Sequence, residues 1–263
     1  MRAAFLLLAG GAIALAAPAS AQSDFTTHYR IDAAGRITGT ISADPDGAGG
    51  NPPQAVRNTY DLAGRLIKVE TGTLATWQSE AVAPVNWSGF TAHKVLDTVY
   101  DGVSRKVKEV LSSAGTAYTV TQYSYDTYGR LECVAVRMNP AVFGSLPASA
   151  CTHGTAGSAG PDRITRNFYD AAGQLLKVQK AVGTDVQIDY ARYEYTPNGK
   201  QKAVIDANGN RAEFAYDGHD RRAKWTFSSP VSAGVANPAD YEEYGYDANG
   251  NRTSLRKRDG RTI

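Results

Sequence analysis

Six aspartates, Asp61, Asp101, Asp126, Asp170, Asp217 and Asp247, occupy the same place in a recurring phrase of this chain. Carboxylates in pairs can divide acid and base work, one donating a proton while the other accepts. Recurrence points elsewhere. A residue that returns at one position of every copy does one local job in every copy, and Asp at a turn bonds its own backbone. The segments Asp206-Ala207-Asn208-Gly209-Asn210 and Asp247-Ala248-Asn249-Gly250-Asn251 place oxygens at alternate positions, as calcium loops do. Their Gly falls one place early, and no Glu closes the second loop. Four histidines, His28, His93, His153 and His219, lie far apart without metal-ligand spacing. A cysteine thiol needs a base, and although His153 follows Cys151 closely, nothing in the surrounding residues orients it. No catalytic residue, metal or cofactor is therefore assigned, and the chain is expected not to be an enzyme.

The phrase reads Tyr60-Asp61-Leu62-Ala63-Gly64-Arg65, then Tyr125-Asp126-Thr127-Tyr128-Gly129-Arg130, Tyr169-Asp170-Ala171-Ala172-Gly173-Gln174 and Tyr246-Asp247-Ala248-Asn249-Gly250-Asn251. Weaker copies are Tyr100-Asp101-Gly102-Val103-Ser104-Arg105, Tyr195 to Lys200 and Tyr216-Asp217-Gly218-His219-Asp220-Arg221. A worn copy lies at Ile31-Asp32 to Arg36, and a half copy at Ile205-Asp206 to Asn210. Self-similarity on this scale dictates architecture, because each unit buries its apolar face only against the next.

Each copy must be held by strand, tight turn and strand. Upstream runs such as Thr119 to Tyr125 and Arg211 to Tyr216 alternate with period two, so Tyr123 and Tyr125 share a face, as do Phe214 and Tyr216. Gly supplies a positive φ, and Asn-Gly at 208–209 and 249–250 predicts two-residue hairpins. The expected fold is all-β: antiparallel hairpins side by side, with tyrosines laddered on one face.

The phrase resembles the YD repeat of the Rhs (rearrangement hotspot) family, and the resemblance covers nearly all of residues 22–263. It implies a strip of hairpins, a curved open sheet or part of a spiral β-shell, of the kind that encloses a C-terminal toxin. Complete toxin-class members carry an aspartyl self-cleavage region after the repeats. Asp44-Pro45 lacks the residues that follow in that region, and no match lies near the C-terminus. Neither cleavage nor toxicity is carried over. The chain ends in a new turn at Asp259-Gly260-Arg261, which reads as an N-terminal or partial piece of a longer protein, with a naturally short Rhs-like protein as the alternative.

Met1-Arg2, the apolar run Ala3 to Ala17 and the site Ala19-Ser20-Ala21 form a signal peptide over residues 1–21, cut before Gln22. The protein is expected to be secreted, periplasmic or on the cell surface, touching a membrane only during export. In an exported chain two cysteines read as a disulfide, here Cys133–Cys151, which closes a loop and stabilises by roughly 3 kcal/mol. Three insertions interrupt the array, at residues 44–53, 76–90 and 139–161, and insertions of this kind map to one face. With 28 basic against 26 acidic residues the net charge is +2, which argues against a nucleic-acid partner. The basic tail (Arg252, Arg256, Lys257, Arg258, Arg261) reads as a solvent face whose acidic counterparts are missing.

Two functions compete. One is a non-enzymatic scaffold whose partners are further repeats of a longer Rhs chain or a toxin cargo. The other is adhesion, with exposed tyrosines and Trp77, Trp87 and Trp225 as platforms for cell-surface glycans.

Overall fold

A computed structural model describes residues 26–46 and 50–263. The expected signal peptide and its cleavage site lie outside the described residues. Contacts divide the chain into two compact units, Met1–Val95 and Leu96–Ile263. The first carries β1 (His28–Ile31), β2 (Ile37–Ile41), β3 (Gln54–Tyr60) and β4 (Leu66–Leu74). β5 (Phe90–Tyr100) leads from the first unit into the second. There follow β6 (Lys106–Ser113), β7 (Thr116–Tyr125), β8 (Leu131–Arg137), β9 (Arg163–Tyr169), β10 (Leu175–Lys180) and β11 (Ile188–Tyr195). The last are β12 (Gln201–Asp206), β13 (Arg211–Tyr216), β14 (Arg222–Ser228), β15 (Ala236–Tyr246) and β16 (Arg252–Arg256). Two single-turn 3-10 helices, Pro84–Asn86 and Pro140–Val142, are the only helical turns among the described residues.

Within each unit the strands lie in chain order, antiparallel to their neighbours, and among the described residues no strand returns to close the sheet. The protein is thus an all-β meander of hairpins, as the alternating runs require. Up-and-down order sorts the connections. In each unit the Tyr-Asp turns fall at one edge, and the insertions at the other. The half copy at Asp206–Asn210 joins β12 to β13 and falls on the insertion edge.

The cores are small and lie where an insertion folds back on the sheet. In the first unit Ile41, Ala55 and Leu74 are covered by Trp87. In the second, Cys133, Ala135 and Ile164 are covered by Ala150. Small residues make this approach possible: a Cβ on Gly39 would lie 2.5 Å from Pro84 Cγ and 2.6 Å from the Trp87 ring.

One turn expectation is corrected. The Asn-Gly pairs do not form two-residue turns, which would need positive φ at both residues. Only Gly209 (φ 81°) and Gly250 (φ 86°) are left-handed; Asn208 and Asn249 are not. The upstream Asp decides this. Its carboxylate accepts the N–H two and four residues on, which shapes a three-residue loop ending in a left-handed glycine. The two-residue turn occurs instead at Ala114-Gly115, between β6 and β7, where φ is 47° and 77°.

Candidate functional site

The repeated carboxylates are not brought into pairs. Each is held within its own turn. Asp126 Oδ1 accepts the N–H of Tyr128 and of Arg130, both at 2.9 Å, and Oδ2 accepts Arg130 Nε at 2.7 Å. Asp101 and Asp217 are bound in the same way by Arg105 and Arg221. So is Asp32, by Arg36. Asp61 takes Arg65 through both N–H and Nε. In two turns Asn210 and Asn251 replace arginine against Asp206 and Asp247. Asp170 keeps the backbone bond, from Gln174 at 2.8 Å. The arginine N–H groups hold Asp61 and Asp101 below the ordinary carboxyl value of 3.8. For Asp126 and Asp217 partial burial pushes upward and is outweighed by the same donors. These carboxylates are acceptors committed to their own turns. The oxygens that suggested calcium at Asp206 and Asp247 are spent on the same capping bonds.

Phrase glycines 64, 129, 173 and 250 are all left-handed. Ser104 (φ 67°) and Asp220 (φ 62°) take that position in the two copies that lack Gly there.

The phrase also links each copy to the one before it. Tyr60 OH donates to Ile37 O at 3.0 Å, and Ile37 follows Arg36 of the preceding turn. The same step joins Tyr125 to Lys106 O, Tyr169 to Leu131 O, Tyr195 to Leu175 O, Tyr216 to Gln201 O and Tyr246 to Arg222 O, all at 2.8–3.0 Å. In each case the acceptor is the residue just past the previous turn. The arginine reaches forward to match. Arg36, Arg105, Arg130 and Arg221 lie 4.5–4.7 Å from the rings of Tyr60, Tyr125, Tyr169 and Tyr246. Arg130 and Arg221 also donate Nη1 to the carbonyls of Asp170 and Asp247, at 2.8 and 3.1 Å. One arginine thus caps its own turn and grips the next. Tyr100 closes β5 directly before the Asp101 turn.

On the other edge, Cys133 and Cys151 form a disulfide with Cα atoms 5.3 Å apart. Glu132 lies beside them, but disulfide sulfurs are not thiolate ligands. Beneath the same loop Arg137 is buried, 4% exposed. It donates to Asp162 Oδ2 (2.6 Å), Thr152 O (2.8 Å), Ser149 O (3.1 Å) and Gln122 Oε1. Asp162 also accepts the N–H groups of Met138 and Gly154. His153 Nε2 lies 2.6 Å from Val182 O, a loop contact rather than a partner for a thiol. Arg137 and Asp162 were not legible as a pair: an arginine ending a strand reads as solvent-facing. Its period-two spacing with Cys133 and Ala135, both fully buried, was the available signal.

The tryptophans are engaged in packing. Trp87 is 5% exposed, which removes it as a glycan platform; Pro84 and the sheet glycine beneath draw it into the core. Trp225 stands 4.4 Å from Phe227 and 5.9 Å from Phe214, and Trp77 meets His28 edge-on at 4.6 Å. The basic tail is also corrected. Arg258 pairs with Asp240 and Arg261 with Asp259, so acidic counterparts are present. The first became adjacent only by register.

No known family model and no curated protein matches the chain. Among solved structures, one titled TcdB2-TccC3-TEV is 17% identical over 88% of this chain and 11% of its own, with a TM-score of 0.48. The Photorhabdus luminescens Tc holotoxin pore is 17% identical over 88% and 11%, with a TM-score of 0.47. The chain spans about a tenth of the length of these two proteins.

Proposed function

We propose that this is an exported, non-enzymatic YD-repeat scaffold of the Rhs type. Its strip of hairpins forms part of a β-shell that contains or displays a toxin or effector. The observation that carries this reading is the forward grip of each turn on the next, Tyr OH to the carbonyl past the previous turn and Arg onto the following Tyr. A contact that repeats with one geometry while the intervening connections vary is a rule for adding units, which a wall requires and a single binding site does not. The repeated carboxylates accept hydrogen bonds within their own turns. The disulfide fits an oxidising compartment.

The test is to purify the exported chain from its own host and digest it with protease. A co-purifying polypeptide that survives until the β strip is unfolded supports containment. A chain that purifies alone and is retained on a glycan array assigns it to adhesion instead.

A further inference from the structure

Asn-Gly occurs three times, at 198–199, 208–209 and 249–250, each time at the tip of a turn of the same shape. In all three the glycine is left-handed, with φ of 84°, 81° and 86°. In all three its N–H donates to the carbonyl three residues back, at 2.9, 3.0 and 3.1 Å. All three asparagines are exposed. Backbone and solvent thus treat the three alike, and the side-chain carboxamide is what separates them.

Asn198 is held at both ends of its amide. Its Nδ2 donates to Asp220 Oδ1 at 2.6 Å, and its Oδ1 accepts the Thr196 hydroxyl at 2.5 Å. Both partners replace the residue usual at their position: Thr196 stands where other copies have Asp, and Asp220 where they have Gly. The lock therefore belongs to this one pair of neighbouring turns. Asn208 and Asn249 instead follow an Asp whose oxygens are taken up by the turn. Asp206 accepts the N–H of Asn208 and both N–H and Nδ2 of Asn210. Asp247 is bound in the same way by Asn249 and Asn251. The Asn208 and Asn249 carboxamides lie in solvent, with no hydrogen bond to another of the described residues.

We propose that Asn208 and Asn249 are sites of spontaneous deamidation, a modification by water from which the fold shields Asn198. Glycine has no Cβ to hinder its own nitrogen. That nitrogen attacks the asparagine Cγ. A succinimide ring closes as the Cγ–Nδ2 bond breaks, and the glycine proton leaves with ammonia. One water then opens the ring. Opening on one side gives Asp; opening on the other gives isoaspartate, which adds a methylene to the main chain. The attack requires the carboxamide to rotate onto the glycine nitrogen, and the two hydrogen bonds on Asn198 oppose that rotation. The consequences differ by edge. Gly209 O accepts Gly234 N–H at 2.7 Å, so a lengthened chain at 208 releases the loop over residues 229–235. At 249 the turn is gripped through Arg221 Nη1 to Asp247 O and Tyr246 OH to Arg222 O, so isoaspartate there loosens a joint between copies. This assignment does not depend on the scaffold reading.

The experiment incubates the purified full chain in mildly alkaline buffer, folded in one arm and unfolded in urea in the other. Peptide mapping by mass spectrometry follows each asparagine through the mass gained when NH2 is exchanged for OH. Isoaspartate is scored with an isoaspartyl methyltransferase and a labelled methyl donor. In the folded chain Asn208 and Asn249 should convert several-fold faster than Asn198. In urea the three should convert at similar rates. D220A, which removes the acceptor that holds Asn198, should bring Asn198 up to the rate of the other two. The comparison of folded with unfolded parent chain needs no variant, so it decides the matter even where D220A does not fold. Asn198 converting as fast as Asn208 and Asn249 in the folded parent would overturn the proposal. So would Asn208 and Asn249 remaining intact in the folded chain after the unfolded chain has been consumed, or an Asn198 rate unmoved in folded D220A.

Discussion

Gly129 and Gly209 separate the two roles of the repeated turn. Both glycines follow Asp by three residues and both have φ of 81°. They differ in what stands beside them. A Cβ on Gly129 would lie 3.2 Å from Arg105 Nη1, the arginine of the preceding turn. A Cβ on Gly209, on the insertion edge, would meet only Ala233 Cβ at an ordinary 3.5 Å. Left-handed backbone costs an L-residue about 1–2 kcal/mol. Replacing Gly by Ala returns about 0.4–1 kcal/mol by restricting the unfolded chain. Gly209→Ala should therefore destabilise by about 0–1.6 kcal/mol, near 0.8 at the centre of both ranges. Gly129→Ala carries the same strain and also displaces Arg105, which lies 4.5 Å from the Tyr125 ring and is bonded to Asp101. Loss of a cation–ring contact at a partly exposed site adds about 0.5–1 kcal/mol. Denaturant titration of the second unit's transition should place Gly129→Ala below Gly209→Ala by that difference. In the R105A background the two variants should become equal. Equal costs in the parent chain would refute the claim that turns grip one another.

Three further outcomes follow. The carboxyls of Asp61, Asp101, Asp126 and Asp217 sit below their ordinary 3.8 in the folded chain, so the unfolded state binds protons first on acidification. Their contribution is complete above 3.8 and is lost as pH falls through the lowered native values. A D61N/D126N variant should show a shallower decline of unfolding midpoint between about pH 5 and 2. Ala114→Asn should stabilise by about 0.5–1 kcal/mol in denaturant titration, because Asn tolerates the left-handed first position of the Ala114-Gly115 turn better than Ala. Reducing Cys133–Cys151, which spans 18 residues, should cost about 3 kcal/mol, with alkylation of both thiols only after reduction.

The hairpins were legible because their signal is local. Asp, Gly and alternating apolar residues act within one turn and two strands, and those contacts form in any register. The grip between copies was not, because it depends on which carbonyl lies across the sheet from a given Tyr. Tyr169 follows Leu131 by 38 residues and Tyr246 follows Arg222 by 24, yet the contact is the same. Sequence distance hides that constancy, since the intervening insertion takes up the difference. The Asn-Gly pairs misled because propensity for a two-residue turn was read without the competing carboxylate three residues before Gly. Buried Arg30 and Arg137 were missed for a third reason. Arginine on a strand ordinarily marks the wet face, and only a loop folding back from the far edge makes that face dry.

The two edges therefore answer to different constraints. On the Tyr-Asp edge the tyrosine and arginine side chains reach a neighbouring turn, so a change there is felt by the adjoining copy. On the insertion edge the connections can differ in length, as the two-residue turn at Ala114-Gly115 and the disulfide-closed loop beside it do. They can do so because no contact of the repeat rule passes through them. Where such a connection is long it folds onto small residues of the sheet, Gly39 and Ala55 in one unit and Ala135 in the other, and buries what lies beneath. The loop of the second unit meets the arginine beneath it with its own Asp162. A strip built this way can keep its growth rule intact while its far edge acquires, one insertion at a time, sites that the repeat itself cannot make.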